Sequence, residues 1–172
     1  DEAYLDVTKK TEIDFHNAEH LAQQLKNEIR NSLKLTCSVG ITPNKLLSKI
    51  ASDYKKPDGL TTVKPEQVEE FLSPLKIREI PGIGKKTENV FMQMNVPKIE
   101  ELRKIDVFDL NKIFGRKTGG YIFNSAKGID TEIVKERPPT IQFSKIVTLK
   151  KNSKELEFLR ENMIELCTQL NK

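Results

Sequence analysis

The sequence predicts an α+β chain: a small sheet carrying helices, then an all-helical region, then the opening strand and helix of a second α+β domain. Three observations carry that expectation. Up to residue 63, β-branched runs alternate with segments of helical periodicity. After Pro65 the chain breaks into short helical stretches divided by Pro81-Gly82, Pro97, Gly115 and Gly128. Pro138-Pro139 then resists both helix and sheet and reads as a tether, with one more strand and one more helix beyond it.

Taken in order, residues 3–8 are a short strand candidate. Phe15, Ala18, Leu21, Ala22, Leu25, Ile29 and Leu33 recur at three- and four-residue steps, the pattern of an amphipathic helix, with Asp14 as its N-cap. Residues 35–42 are rich in β-branched and small apolar side chains and read as a strand. Pro43 and Asn44 open a helix to about Tyr54. Lys56-Pro57-Asp58-Gly59 is a turn, because Pro fixes one φ and Gly supplies a positive one. Residues 60–63 make a last short strand. Helices are expected over 66–72, 85–94, 98–103, 107–113 and 117–127. Residues 142–149 are a strand candidate. Leu156, Leu159, Met163, Leu166 and Leu170 mark a final amphipathic helix, capped by Asn152 or Ser153. One strand and one helix cannot close a core, so this last domain reads as incomplete, and the start at Asp1 rather than Met reads as truncation.

Composition excludes several classes. Hydrophobic residues at 37% and charged residues at 31% fit a folded chain that buries a core, not a disordered one. No apolar run approaches the ~20 residues of a membrane span, and no basic–apolar leader suggests secretion. Cys37 and Cys167 lack metal-type neighbours and are expected as buried, reduced thiols of a cytosolic protein. The net charge of +4 is modest, but residues 111–127 carry four basic side chains and no acidic one. Residues 135–151 carry five against Glu136 alone. Two cationic segments suit a polyanion, or are ordinary solvated faces.

The strongest local signal is Ile80-Pro81-Gly82-Ile83-Gly84-Lys85-Lys86-Thr87. Two glycines around one apolar residue permit a tight turn between helices, with backbone N–H groups unobstructed at a helix N-terminus. A phosphate oxygen is favoured there by hydrogen bonding and by the dipole. Lys85 and Lys86 add cationic reach, and Ile83 is expected between the helices, holding the turn closed. This is a helix-hairpin-helix pattern, which grips the DNA backbone without reading sequence; the alternative is an incidental turn. Residues 114–119 read equally as a degenerate second hairpin or a plain turn. Asp1-Glu2-Ala3-Tyr4-Leu5-Asp6 places two carboxylates together, a pairing that can hold Mg2+ or remain solvated surface.

That last string resembles the second catalytic carboxylate motif of the Y-family (lesion-bypass, DNA polymerase IV-like) DNA polymerases. Further matches follow in that family's order: residues 39–45, with Val39-Gly40-Ile41-Thr42-Pro43-Asn44-Lys45; then Lys49-Ile50-Ala51-Ser52-Asp53; then Lys55-Lys56-Pro57-Asp58-Gly59. After them come the Pro-Gly-Ile-Gly hairpin, a basic tether and Lys145-Ile146-Val147-Thr148-Leu149-Lys150. The resemblance spans essentially all 172 residues. It implies a palm part over 1–64, a helix-hairpin-helix thumb over 65–133, a tether over 134–142 and the start of a little finger over 143–172.

The resemblance also implies roles. Asp1 and Glu2 would be metal ligands, Glu2 being catalytic, with Mg2+ as cofactor, two ions per active site. Lys56 would reach the triphosphate of the incoming nucleotide; taken alone it reads as a surface lysine beside a turn. Gly82, Ile83, Gly84, Lys85, Lys86 and Thr87 would hold duplex DNA, with Lys45, Lys49, Lys145 and Lys150 as further contacts. Asp53 is expected in an ion pair, Tyr4 and Leu5 packed in the sheet, and Asp6 structural. The partners implied are primer–template DNA and a dNTP, with a sliding clamp as a further candidate. A monomer in the cytoplasm, associated with the nucleoid, is expected. The family's first metal-binding aspartate, its ribose-discriminating aromatic and its fingers all precede the segment seen here. The 172 residues alone are therefore expected to bind DNA but not to polymerise. The rival readings are a non-enzymatic, sequence-independent DNA-binding module and a structure-specific nuclease or other repair enzyme with the same hairpin.

Overall fold

The computed structural model describes residues 2–136, 144–149 and 152–170. The chain divides into two compact units, Asp1–Val134 and Lys135–Lys172. In the first, helix α1 (Phe15–Leu33) starts where the Asp14 carboxylate accepts the Asn17 N–H at 2.9 Å, and ends at Lys34 in the left-handed region (φ 58). Strand β1 (Val39–Ile41), helix α2 (Lys45–Tyr54) and strand β2 (Leu60–Thr62) form one parallel crossover, in the register Val39↔Leu60, Gly40↔Thr61, Ile41↔Thr62. The helix lies directly on the sheet at Gly40. A Cβ there would fall 2.4 Å from the Ser48 carbonyl oxygen and 2.7 Å from the Ser52 nitrogen, so only glycine allows this approach.

Short helices follow: α3 (Val68–Leu72), α4 (Lys85–Gln93), α5 (Ile99–Leu102), α6 (Val107–Phe114) and α7 (Arg116–Ala126), with 3-10 turns at Pro65–Gln67 and Ile77–Glu79. Their apolar faces meet those of α2 in one core that holds Leu47, Ile50, Leu72, Ile80, Phe91, Leu102, Leu110 and Ile122. The N-terminus of α2 is tied to the chain after α7. The Asn44 side chain accepts the Leu47 N–H at 3.0 Å and donates to the Gly128 carbonyl at 2.8 Å, while Asp130 accepts the Leu46 N–H at 3.0 Å. An N-cap expected from the sequence thus also joins the sheet to the helical region.

Several expectations fail. Residues 3–8 form no strand, since no neighbouring strand among the described residues pairs with them; Asp6 instead accepts the Thr8 N–H at 3.0 Å and starts a turn. Tyr4 and Leu5 are accordingly exposed, at 38% and 67%, not packed in a sheet. Cys37 is half-buried and Cys167 is exposed on its helix, so neither is the buried thiol expected; both are free. In the second unit, residues 144–149 form no strand, and the rest of that candidate lies outside the described residues. Helix α8 (Leu156–Leu170) is present, preceded by a turn in which Ser153 Oγ accepts the Glu155 N–H at 3.1 Å.

Candidate nucleic-acid interface

The glycine turn has the geometry its sequence demands. The Ile83 N–H donates to the Ile80 carbonyl at 3.1 Å, closing the loop, and Gly82 at its tip takes φ +82, a region that costs an L-residue about 1–2 kcal/mol. Ile80 (0% exposed) and Ile83 (7%) anchor the loop in the core. Gly84 is the extended N-cap of α4 and offers no side-chain cap; the first helical bond of that turn runs from the Glu88 N–H to the Gly84 carbonyl at 3.0 Å. Among the described residues, no acceptor takes the N–H of Lys85, Lys86 or Thr87. Three open amides at the positive end of a helix dipole, flanked by the exposed Lys85 and Lys86, make a surface for an anionic oxygen.

Sequence reasoning missed one member. Tyr121 on α7 donates its hydroxyl to the Pro81 carbonyl at 2.6 Å, and its ring lies 3.7 Å from where a Cβ on Gly82 would be. The hairpin is therefore braced from α7. Burial pushes the Tyr121 hydroxyl above its ordinary pKa, keeping it a donor. Lone tyrosines in a helical pattern carry no signal of such a bond. The second glycine turn is also formed: Gly115 (φ +81) alone separates α6 from α7, and Arg116 and Lys117 on the first turn of α7 are exposed.

The candidate residues of the first third lie along α2. Glu2 pairs with Lys49, Lys49 with Asp53 at 3.0 Å, and Asp53 with Lys56 at 2.5 Å, an alternating chain of charges. The Glu2 carboxylate, and after it Asp53, holds the Lys49 ammonium above its usual value. Partial burial pushes the Asp53 carboxyl up, but the bonds from Lys56 and Lys49 outweigh it and keep it below the ordinary aspartate range. Asp53 is thus in ion pairs, as expected. Lys45 pairs with Glu132 at 3.0 Å and sits 5.1 Å over the Tyr4 ring. All three lysines are therefore engaged within the chain, but Lys45 and Lys49 are largely covered whereas the Lys56 side chain is half-exposed. Lys145 is exposed; Asp1 and Lys150 lie outside the described residues.

Mg2+ takes about six oxygen ligands. Among the described residues no group of three His, Cys, Asp or Glu is placed to hold a metal ion, and the Glu2 carboxylate is engaged by Lys49. These residues do not by themselves make a magnesium site.

Comparison with known proteins gives the same picture from another side. Residues 1–53 match the impB/mucB/samB family, and residues 78–130 match the thumb domain of DNA polymerase iota. The DNA polymerase IV of Nitrosopumilus maritimus is 65% identical over 172 residues, covering 100% of this chain and 47% of that protein. A Y-family DNA polymerase chimera of Dbh and Dpo4 superposes with a TM-score of 0.85 at 32% identity, covering 99% of this chain and 49% of that one. An insertion ternary complex of Dbh DNA polymerase superposes with a TM-score of 0.74 at 34% identity, again covering 99% and 49%. Over its whole length the chain is Y-family DNA polymerase IV-like. It spans about half the length of the curated relatives it matches.

Proposed function

We propose that this chain is the duplex-gripping and nucleotide-side portion of a template-directed translesion DNA polymerase, which joins a dNTP to a primer 3′-hydroxyl. The observation that carries the reading is the hairpin: open amides at Lys85, Lys86 and Thr87 beside two exposed lysines, on a loop anchored by Ile80 and Ile83. Such a surface holds a phosphate backbone without reading bases. Gly82, Gly84, Lys85 and Lys86 take that role, with Arg116 and Lys117 reaching the same polyanion from the second glycine turn. Lys56 takes the triphosphate, exchanging its Asp53 partner for a phosphate oxygen. Glu2, with Asp1 beside it, supplies carboxylates at the primer end; a divalent cation there needs further ligands from outside the described residues.

No helix among the described residues is long and apolar enough to cross a membrane. That is compatible with an enzyme working as a monomer on DNA in the cytoplasm, with or without a sliding clamp.

The reading is tested by exchanging the corresponding segment of the Nitrosopumilus maritimus DNA polymerase IV for these 172 residues and assaying primer extension across an abasic template. The chimera is expected to extend past the lesion. Glu2→Ala is expected to reduce kcat and kcat/KM together by about a hundred-fold or more, with duplex affinity unchanged, since the group acts only in the transition state. Extension that survives Glu2→Ala, or a chimera that binds duplex and never extends, would leave a non-enzymatic DNA-binding module in its place.

A further inference from the structure

Lys26, on α1, is the one buried cation among the described residues. Its side chain is 7% exposed, in the middle of α1, where the neighbouring buried positions are Ala18 and Ala22. Burying an ammonium is costly unless its protons are bonded. Here they meet four oxygens: the Cys37 carbonyl, Asp58 Oδ1 at 2.7 Å, the Asp58 carbonyl at 3.0 Å and the Gly59 carbonyl at 3.3 Å. One turn further along the helix, Arg30 takes the other carboxylate oxygen of Asp58. The Lys26 bond, followed by the charge of Arg30, holds the Asp58 carboxyl below its usual value.

Apart from the bond to Cys37, these bonds converge on one turn. Asp58 sits at φ +58, Gly59 donates its N–H to Ser38 Oγ at 3.1 Å, and the Gly59 carbonyl accepts the Val39 N–H at 3.0 Å. A Cβ on Gly59 would fall 2.3 Å from the Lys55 carbonyl oxygen, so the loop is folded tightly on itself. Lys56 lies two residues from Asp58 on this loop, its side chain 53% exposed. The backbone from which Lys56 projects is thus fastened by a residue of α1.

We propose that Lys26 is a positioning residue, whose ammonium fixes the turn at Asp58 and Gly59 so that Lys56 meets the triphosphate of the incoming nucleotide. This rests on the role given to Lys56 above. Without Lys26, the Asp58 carbonyl loses this donor, the Gly59 carbonyl keeps only the Val39 N–H and the Asp58 carboxylate is left to Arg30 alone, so the loop samples other conformations and Lys56 is presented only part of the time. That loss weakens nucleotide binding and leaves the chemical step and the duplex grip in place.

The test is single-nucleotide insertion by the chimeric polymerase, comparing Lys26→Met, Lys26→Arg, Lys56→Ala and the Lys26→Met/Lys56→Ala double variant. Lys26→Met is expected to raise the KM for dNTP about ten-fold with kcat within about two-fold, and Lys26→Arg to recover most of it. The double variant is expected to be no worse than Lys56→Ala, since both act through one ammonium. An unchanged KM in Lys26→Met while Lys56→Ala raises it overturns the inference and spares the function proposed above. Additive effects overturn it as well, because the two residues then act independently. An unchanged KM in Lys56→Ala removes the nucleotide role of Lys56 and this inference with it. Should Lys26→Met not fold, Asp58→Asn keeps the carbonyl cage and loses the carboxylate. It is expected to raise KM in the same direction by a smaller factor, and no rise would count against the inference.

Discussion

Replacing Gly82 with valine is expected to weaken binding of a fluorescent duplex by about ten- to a hundred-fold, with the thermal midpoint of the protein lowered by about 2–8 °C and the fold retained. Gly82 is at φ +82, where a β-branched residue is a true outlier, and its surroundings are open: the nearest contact for a Cβ is the Tyr121 ring at 3.7 Å. The strain is therefore conformational rather than steric, and the loop relieves it by turning. Turning re-aims the amides of Lys85, Lys86 and Thr87 that await a phosphate. A hydrogen bond to a charged group contributes about 1.5–3 kcal/mol, and ~1.4 kcal/mol is a factor of ten in affinity, which sets the expected range. Titration by fluorescence anisotropy at constant salt measures it. Unchanged affinity would mean that the duplex is held elsewhere.

The second large effect concerns stability. Gly40→Ala is expected to destabilise the chain by about 3 kcal/mol, the upper end of the usual cost of overpacking. The added Cβ would lie 2.4, 2.7 and 2.9 Å from the Ser48 oxygen, the Ser52 nitrogen and the Ala51 Cβ, all parts of α2 that cannot swing aside. Relief requires lifting α2 from the sheet, and α2 also supplies Leu47 and Ile50 to the core and Lys49 and Asp53 to the charge chain. Gly84→Ala is the control. Its Cβ meets nothing within 4 Å and its φ of −91 suits any residue, so a change within about 0.5 kcal/mol is expected. Urea unfolding of the two variants beside the unmodified chain gives both numbers. Equal stabilities would show that α2 does not rest on Gly40 in solution.

The sequence was informative where local chemistry decides the structure. Asp14 and Asn44 are N-caps because a short polar side chain can reach the free amides of the first turn, and both stand where expected. Gly82 and Ile83 were legible because a turn of that length needs a positive φ and an apolar anchor. What stayed hidden depends on partners far along the chain. Lys26 sits among Leu25, Ile29 and alanines and reads as a solvated lysine on a helix; its acceptors at Asp58 and Gly59 are 32 and 33 residues away. Tyr121 reaches Pro81 across 40 residues, and Asn44 reaches Gly128 across 84. Lys49 and Asp53 share a helix face at i and i+4, so their pairing could be read, but the seat of Glu2 on Lys49 could not. Residues 3–8 failed for the opposite reason: β-propensity without an adjacent strand does not make one.

The measurement that bears most directly on the central claim is the salt dependence of duplex binding by the 172-residue chain, compared with its Lys85→Ala/Lys86→Ala variant. Each phosphate neutralised by a lysine adds about 0.9 to the slope of log affinity against log salt. The account predicts measurable, sequence-independent binding at low salt, and a slope lowered by about two in the double variant with the fold intact. Absence of binding at low salt, or the same slope in both proteins, would contradict it.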